Sequence, residues 1–444
     1  MSEQNYGFDT LKVRAGYNPN EHNYAVSVPI YQTASFELGD TDRAGRLFSF
    51  SELGYLYTRV GNPTVTVLEQ RVAALDGASS AVAVGSGMAA VTYTLFNVAE
   101  GGGRILTTTQ VYGGTFDSFK KIYPNFNIDI DQVSELDNLA EWESSIKPDT
   151  RAIFVETISN PNASIADIEA LAEIAHKQDI PLIVDNTFAT PYLLNPIKYG
   201  ADIVIYSATK ALNGHGNAIA GLILESGKFN WANGKFPQFT SPVYLFRDVN
   251  GKEKSFVEAF GAAAFTTRVR MNYLAYFGAA LSPFDAYLAL IGLETLSERV
   301  QKQVSNAEKI IKYLESKEEV VWIKHPSSEK SEYRALAEKY LPKGAGAIFT
   351  FGLKATNEQI NTFIDATKIF SYHANVGDAK SLIINSPKTT HGELTPEEQI
   401  TAEIPPETIR LSIGIEDVKD LIADLEQAFE KTFRKEKYSS IEVA

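Results

Sequence analysis

Short apolar runs alternate with amphipathic helical segments along most of the chain. Six of these runs have the length and composition of buried strands: 80–84, 104–106, 152–156, 181–185, 203–207 and 220–224. Because helical segments lie between them, the pattern predicts an α/β fold with a mostly parallel sheet covered on both faces. Such sheets bind their ligands beyond the carboxyl ends of the strands.

Two helices near these strands have recognisable ends. The first is predicted to begin after Asn62, a capping residue followed by Pro63, and to end at Gly77. The second is predicted to start at Ser164, with Asp167 placed for a variant of the capping box. Helical periodicity also covers about 282–318.

The remaining segments suggest the domain organisation. Residues 1–60 have no strong period and are predicted to form an arm with little core of its own. A large domain is expected over 61–280, with a long inserted loop at about 228–255, and a smaller C-terminal α/β domain over 281–444. The 228–255 segment mixes aromatic residues, Pro, Gly and charged residues without a period.

Composition excludes several classes of function. The chain is 44% apolar and 22% charged, as globular proteins are, and its net charge of −14 argues against a nucleic-acid partner. It has no cysteine, and its six histidines lack metal-ligand spacing, so we expect no metal site. Without a signal-peptide pattern or an apolar run of membrane-spanning length, we predict a cytoplasmic protein with no membrane partner.

A glycine-rich turn follows the first predicted strand. Gly85, Gly87 and Ala90 satisfy G-x-G-x-x-A, in which backbone N–H groups approach a phosphate at a helix N-terminus. A dinucleotide site also needs a carboxylate at the end of the next strand, but 107–110 reads Thr-Thr-Thr-Gln. The motif therefore favours a phosphate site over the dinucleotide site of an NAD(P)-dependent dehydrogenase. A tight turn that binds no ligand remains an alternative.

Two further motifs lie at strand ends. Ser207, Thr209 and Lys210 follow one apolar strand, and Asp185 ends the preceding one, 25 residues earlier. Taken alone, the first motif also fits a surface lysine or the S-x-x-K serine nucleophile, although the accompanying K-T-G is missing. Taken with the phosphate turn, a lysine and a carboxylate in one crevice favour pyridoxal phosphate (PLP) as the cofactor.

At this point the chain resembles a known family, the Cys/Met-metabolism PLP-dependent enzymes. The resemblance spans nearly the whole chain and rests on motifs that occur in the same order: 57–64, 85–90, 111–115, 156–157 with 160–161, 184–188, and 207–216. It implies PLP-dependent transferase fold type I, which is aspartate-aminotransferase-like. It also implies a homotetramer built from dimers that share active sites, with the 1–60 arm completing a neighbouring subunit's site.

The resemblance assigns roles to individual residues. The expected catalytic residues are Lys210, which forms the covalent aldimine with PLP, Asp185, which pairs with the pyridine nitrogen, and Tyr112, which stacks on the ring and helps in proton transfer. The remaining cofactor contacts are expected from Ser86, Gly87, Met88, Asn160, Thr187, Ser207 and Thr209, with Tyr57 and Arg59 from the neighbouring subunit. Substrate contacts are expected from Arg410, Asn375, Asn160 and Tyr57. Burial and the charge of Arg59 are expected to lower the pKa of Lys210.

Within the family, the insertion and the segments 374–380 and 409–416 most resemble the members that make homocysteine from O-acetylhomoserine and sulfide. Cystathionine γ-synthase and γ-lyase activities are the alternatives inside the family. Two positions depart from the family pattern. Ala211 replaces an aromatic residue or Gln, which suggests looser packing behind the cofactor, and Asn375 lies in a segment that differs from that of the lyases.

Overall fold

The computed structural model describes residues 6–433 except 161, 248, 249, 391, 393, 394, 396, 398 and 400–402. Within these residues, the larger sheet has seven strands: β1 (Ser80–Val84), β2 (Gly103–Thr108), β3 (Ile128–Val133), β4 (Thr150–Glu156), β5 (Leu182–Asp185), β6 (Ile203–Ser207) and β7 (Gly221–Glu225). Their order is β1-β7-β6-β5-β4-β2-β3, and only β7 runs antiparallel to its neighbours. The predicted α/β class and mostly parallel sheet are confirmed.

The sequence pattern found six of these strands and missed β3. That strand reads IDIDQV and lies at the edge of the sheet, where it pairs only with β2. The middle residues of this edge strand are only partly buried, so polar side chains are tolerated there and the strand lacks the continuous apolar run of the interior strands. Two of its aspartates instead form ion pairs with Arg104 on β2.

The α-helices cover both faces of the sheet and continue toward the C-terminus. In chain order they are α1 (Phe8–Arg14), α2 (Thr41–Phe48), α3 (Pro63–Asp76), α4 (Gly87–Val98), α5 (Gly113–Lys121), α6 (Leu139–Ser145), α7 (Ile168–Lys177), α8 (Thr190–Leu193), α9 (Pro237–Thr240), α10 (Phe256–Phe260), α11 (Ala264–Arg268), α12 (Ala275–Phe277), α13 (Pro283–Glu294), α14 (Leu296–Glu315), α15 (Arg334–Tyr340), α16 (Asn357–Ala366) and α17 (Val418–Phe433). A π-helical segment, Val269–Leu274, joins α11 to α12. Among these helices, none is long and apolar enough to cross a membrane.

The two predicted helix starts have different outcomes. For α3 the Asn62 side chain accepts the N–H of Thr64, and Gly77 ends the helix at φ 67°, as predicted. The predicted start of α7 at Ser164 is wrong, because the helix begins at Ile168 with Asp167 as its cap. The chain before it is extended, since Ile165 forms a β-bridge with Ile158.

A second sheet lies toward the C-terminus. Its described strands are β10 (Val320–Lys324), β11 (Ile348–Leu353), β12 (Ser371–Tyr372), β13 (Leu382–Asn385) and β14 (Thr408–Ser412), in the order β10-β11-β14-β13-β12. Apolar residues of α16, α17 and the second half of α14 cover it, whereas α13 and the first half of α14 pack into the core of the larger sheet. The domain boundary at 281 stays a prediction.

The 228–255 segment is more ordered than its sequence suggests. It contains α9 and a hairpin of β8 (Val243–Arg247) and β9 (Glu253–Lys254), so the prediction of a single long loop is wrong. Trp231, Phe236 and Phe239 are buried, and the Trp231 ring lies 5.0 Å from that of Phe265 on α11. Aromatic packing against the core, rather than a periodic pattern, orders this segment.

Candidate active site

A cavity of about 260 Å³ opens beyond the carboxyl ends of β4, β5 and β6 and the N-terminus of α4. It is where a parallel sheet is expected to bind a ligand. Twelve of the fourteen predicted site residues line it: Ser86, Gly87, Met88, Tyr112, Asn160, Asp185, Thr187, Ser207, Thr209, Lys210, Asn375 and Arg410. The other two, Tyr57 and Arg59, do not line the cavity of their own chain.

Lys210 follows β6 and directs its amine into this cavity. Its Nζ donates a hydrogen bond to Oδ1 of Asn375 at 2.7 Å. Burial, and then the positive charge of Arg410, lowers the pKa of Lys210 to about 8. Within one chain the cation that acts on Lys210 is therefore Arg410. The contribution expected from Arg59 involves a neighbouring subunit and stays a prediction.

Two carboxyl groups lie side by side at the ends of neighbouring strands. The register of β4 with β5 pairs Glu156 with Asp185. Burial raises the pKa of Asp185 to about 6, although Oδ1 accepts the N–H of Thr187 at 2.9 Å. Burial and the facing Asp185 raise the pKa of Glu156 well above its usual range. Asp185 thus has the position to face a basic ring nitrogen.

Glu156 received no role from the sequence, yet it connects two loops of the site. Its Oε1 accepts the backbone N–H of Tyr112 at 2.6 Å, and its Oε2 accepts that of Asn160 at 3.1 Å. A glutamate at the carboxyl end of a buried strand was the available indication, because buried carboxylates are rarely left unpartnered. Glu156 therefore orients the loop that carries the predicted ring-stacking tyrosine.

The N-terminus of α4 has the features of a phosphate site. Ser86 caps the helix by accepting the N–H of Ala89 at 3.0 Å, and Gly87 packs against Ser207. A Cβ on Gly87 would lie 2.6 Å from the Cβ of Ser207, so only glycine permits this approach. The hydroxyl-bearing Ser207 and Thr209 line the same wall. Hydroxyl groups around the positive end of a helix fit a phosphate group.

Arg410 reaches the cavity from β14 of the second sheet. Its side chain is 3% exposed, and its Nη1 donates to Oδ1 of Asn160 at 3.1 Å. Its Nη2 donates to the backbone oxygen of Asn375 at 3.4 Å. Burial lowers the pKa of Arg410 to about 10, so the guanidinium stays protonated at neutral pH. A cation held by neutral partners is suited to a carboxylate ligand.

Other residues around the cavity received no individual role from the sequence. Besides Glu156, the lining includes Val91, Thr115, Ile158, Phe188, Ile219, Ala374, Val376 and Thr390. Most are apolar, and no spacing rule distinguishes them from core residues. Ala211 is buried and Gly377 packs directly against it, so the protein is closely packed at this position. The looser packing expected behind the cofactor stays a prediction. A Cβ on Gly377 would lie 2.8 Å from the backbone nitrogen of Ala211.

Comparisons with known proteins agree with this geometry. The family model described as Cys/Met metabolism PLP-dependent enzyme matches residues 9–430. The chain is 40% identical to the O-acetyl-L-homoserine sulfhydrylase of Leptospira meyeri over 96% of this chain and 97% of the relative. It is 41% identical to the homocysteine synthase of Schizosaccharomyces pombe over 97% of this chain and all of the relative.

A solved structure is similar over the same range. It is that of a Campylobacter jejuni protein assigned as an O-acetylhomoserine (thiol)-lyase, with a TM-score of 0.90 and 38% identity. The alignment covers 96% of this chain and all of the neighbour. The neighbour carries a pyridoxyl-lysine monophosphate, which is PLP bound covalently to a lysine.

Proposed function

Since the chain belongs to the Cys/Met metabolism PLP-dependent enzymes, we propose that it converts O-acetyl-L-homoserine and sulfide into L-homocysteine and acetate. The observation that carries this proposal is the cavity in which Lys210, Asp185 and Arg410 meet. Its support comes from full-length relatives at about 40% identity that are named for this activity. The substrates are small molecules, and the enzyme is a PLP-dependent transferase.

Each site residue has a part in this proposal. When bound, PLP supplies an aldehyde that condenses with amines and a ring that withdraws electrons from the substrate Cα. Lys210 would hold the cofactor and then move the proton at the substrate Cα. Its lowered pKa keeps a useful fraction of the amine neutral near pH 8. Asp185 would hold the proton of the ring nitrogen, and Tyr112 would stack on the ring.

The other contacts divide between phosphate and substrate. Ser86, Gly87, Met88, Ser207 and Thr209 would hold the phosphate, while Thr187 and Asn160 would lie beside the ring. Arg410 would bind the substrate carboxylate through both guanidinium nitrogens, with Asn375 close to it. These assignments rest on position in the cavity and on the family resemblance.

We also propose that two subunits share each site. Tyr57 is 47% exposed, and the Arg59 guanidinium lies 5.4 Å from the centre of its ring, outside the cavity of its own chain. An exposed pair that the family places near the cofactor is expected to serve a neighbouring subunit. The homotetramer, the three-part domain division and the cytoplasmic location remain predictions from the sequence.

The test is an absorption and product assay in one cuvette. Purified protein loaded with PLP should show the visible band of a lysine-bound cofactor, and Lys210→Ala should lose it. Homocysteine should then form from O-acetyl-L-homoserine only when sulfide is added. Sulfide-independent release of products, or a preference for cysteine over sulfide, would replace the proposal with a γ-lyase or a cystathionine γ-synthase.

The acyl group and the side-chain length of the substrate need a separate comparison. O-succinyl-L-homoserine and O-acetyl-L-serine, offered with sulfide at equal concentrations, should give lower kcat/KM than O-acetyl-L-homoserine. A higher kcat/KM with either compound would contradict the substrate assignment and leave the cofactor assignment intact.

A further inference from the structure

One face of α14 carries three buried polar side chains at helical spacing. Arg299, Gln303 and Asn306 follow an i, i+4, i+7 spacing, which places them on the same side of the helix. They are 5%, 3% and 0% exposed, and α14 lies outside the cavity lining. Three buried polar groups are costly unless each has a partner, so their partners show what the face does.

Arg299 holds the chain immediately after Lys210. Its Nη1 donates to the backbone oxygen of Ala211 at 3.0 Å, and its Nη2 donates to that of Leu212 at 3.3 Å. The same guanidinium also donates to the backbone oxygen of Gly292 at 2.6 Å. One rigid cation thus ties the lysine-bearing loop to the junction between α13 and α14.

Gln303 and Asn306 hold the other two segments of the site. Gln303 donates to the backbone oxygen of Asp378 at 2.8 Å, three residues after Asn375. Asn306 donates to the backbone oxygens of Gly414 at 3.1 Å and Glu416 at 2.9 Å, just beyond Arg410. These segments reach the cavity from different parts of the chain.

The three segments also bond to one another along this face. The N–H of Ala379 donates to the backbone oxygen of Gly214 at 2.8 Å, and the N–H of Ile415 donates to that of Ala379 at 2.9 Å. The segment that follows Asn375 is therefore hydrogen-bonded to the segments that follow Lys210 and Arg410. The α14 face is the rigid element against which all three are aligned.

We propose that Arg299, Gln303 and Asn306 are positioning residues that set the placement of Lys210, Asn375 and Arg410. Arg299 acts on the lysine and hence on proton transfer. Gln303 and Asn306 act on the groups beside the substrate carboxylate and hence on substrate affinity. The inference deepens the function proposed for this cavity and rests on it for the roles of the three site residues.

The test uses PLP-loaded protein and L-homoserine, which lacks the acetyl leaving group. Its dissociation constant is measured from the change in the cofactor band, and the exchange of its Cα hydrogen in D₂O is followed by proton NMR. Neither measurement requires γ-replacement. A failure of the sulfhydrylase proposal would therefore leave this test intact.

The variants are expected to separate the two effects. Gln303→Leu and Asn306→Leu should each raise the dissociation constant of L-homoserine about fivefold or more, with the exchange rate at saturation changed less than about twofold. Arg299→Met should slow the exchange about tenfold or more with a smaller effect on the dissociation constant. If Arg299→Met does not fold, Arg299→Lys should give the same kind of change, because lysine keeps the charge but lacks the planar guanidinium that donates to several carbonyl oxygens at once.

Ala307→Gly is the matched control on the same helix. Ala307 is buried in the core of the second sheet, and its replacement destabilises α14 without removing any of these donors. It should lower the melting temperature and leave both L-homoserine measurements unchanged. Equal changes in affinity and exchange in all four variants, or no change in the three polar ones, would overturn the proposal.

Discussion

At the scale of single residues, two physical effects lower the pKa of Lys210, and its neighbours in the sequence provide neither of them. Burial opposes its charged form, and Arg410, 200 positions later, adds a like charge. The sequence indicated a strand-end lysine and the burial, whereas the identity of the neighbouring cation depended on the packing of the second sheet. Glu156 was missed for the same reason, because its two backbone partners are set by loop geometry.

The lowered pKa of Lys210 predicts the pH dependence of cofactor uptake. Only the neutral amine attacks the PLP aldehyde, so below the pKa the rate should rise about tenfold per pH unit. For this lysine the rise should level off near pH 8 rather than near 10.5, the ordinary pKa of a lysine side chain. The measurement is the rate at which the visible band forms when PLP is added to cofactor-free protein.

Arg410 variants provide the control for this pH profile. Arg410→Ala removes the like charge and should move the midpoint to higher pH, whereas Arg410→Lys should keep it near the original value. A midpoint that is the same in Arg410→Ala as in the unaltered protein would show that Arg410 does not affect the pKa of Lys210.

At the scale of elements, the contact between α4 and β6 builds the phosphate site. Gly87→Ala is expected to force the helix N-terminus away from Ser207, because the new Cβ would lie 2.6 Å from the Cβ of Ser207. We expect a loss of about 1–3 kcal/mol in the free energy of unfolding, measured in urea. The affinity for PLP should fall at least about tenfold, since the helix end no longer reaches the phosphate.

A second helix glycine gives the matched control. Gly45 lies in α2 with nothing within 4 Å of an added Cβ. Gly45→Ala should leave PLP affinity unchanged and stabilise the protein by about 0.4–1 kcal/mol, because it restricts the unfolded chain. Equal losses of PLP affinity in both variants would remove the proposed role of the close approach.

The 228–255 segment contributes stability through its aromatic core. Trp231 is 3% exposed and stacks against Phe239 and Phe265, so Trp231→Ala should cost about 3–5 kcal/mol in the free energy of unfolding. The described residues of this segment do not line the cavity, and KM for O-acetyl-L-homoserine should stay unchanged in the folded variant.

Tyr244 tests whether burial causes this effect. It lies in the same segment and is 68% exposed, so Tyr244→Ala should change the free energy of unfolding by no more than about 0.5 kcal/mol. A change in KM with either variant would instead indicate that the segment acts on the site.

At the scale of the whole molecule, the question is whether one subunit completes the site of another. Lys210→Ala and Arg59→Ala should each inactivate the enzyme by itself. When the two variants are co-expressed, random pairing makes about half of the dimers mixed, and each mixed dimer has one intact site out of two. About a quarter of the unaltered activity should therefore return. Steady-state assays of the mixed protein, with each variant purified separately as its control, provide the measurement.

The co-expression experiment would give a different result if each subunit completed its own site. If Arg59 served its own subunit, mixing would add no active sites beyond those of the separate variants. Activity equal to the sum of the two separate variants would therefore contradict shared sites.

The arm itself is anchored to its own chain, since Lys12 on α1 pairs with Glu298 on α14 at 2.6 Å.

The sequence alone determined the features that depend on local order. Apolar runs of strand length predicted the interior strands, and Asn62, Pro63 and Gly77 predicted the ends of α3, because burial on both faces and helix capping leave patterns in adjacent residues. The motifs around Lys210, Asp185 and Gly87 indicated the cofactor for the same reason. Each motif lies at a strand end, where parallel sheets bind ligands.

Tertiary structure decided the features that depend on distant contacts. The edge strand β3 and the aromatic packing of 228–255 follow from neighbours that are remote in sequence. The late start of α7 follows instead from the nearby bridge between Ile158 and Ile165, which leaves no periodic pattern in the sequence. The partners of Glu156 and the alignment of three segments on α14 are likewise set by packing. Local patterns encode which residues are buried or capped, but not which remote backbone groups they meet.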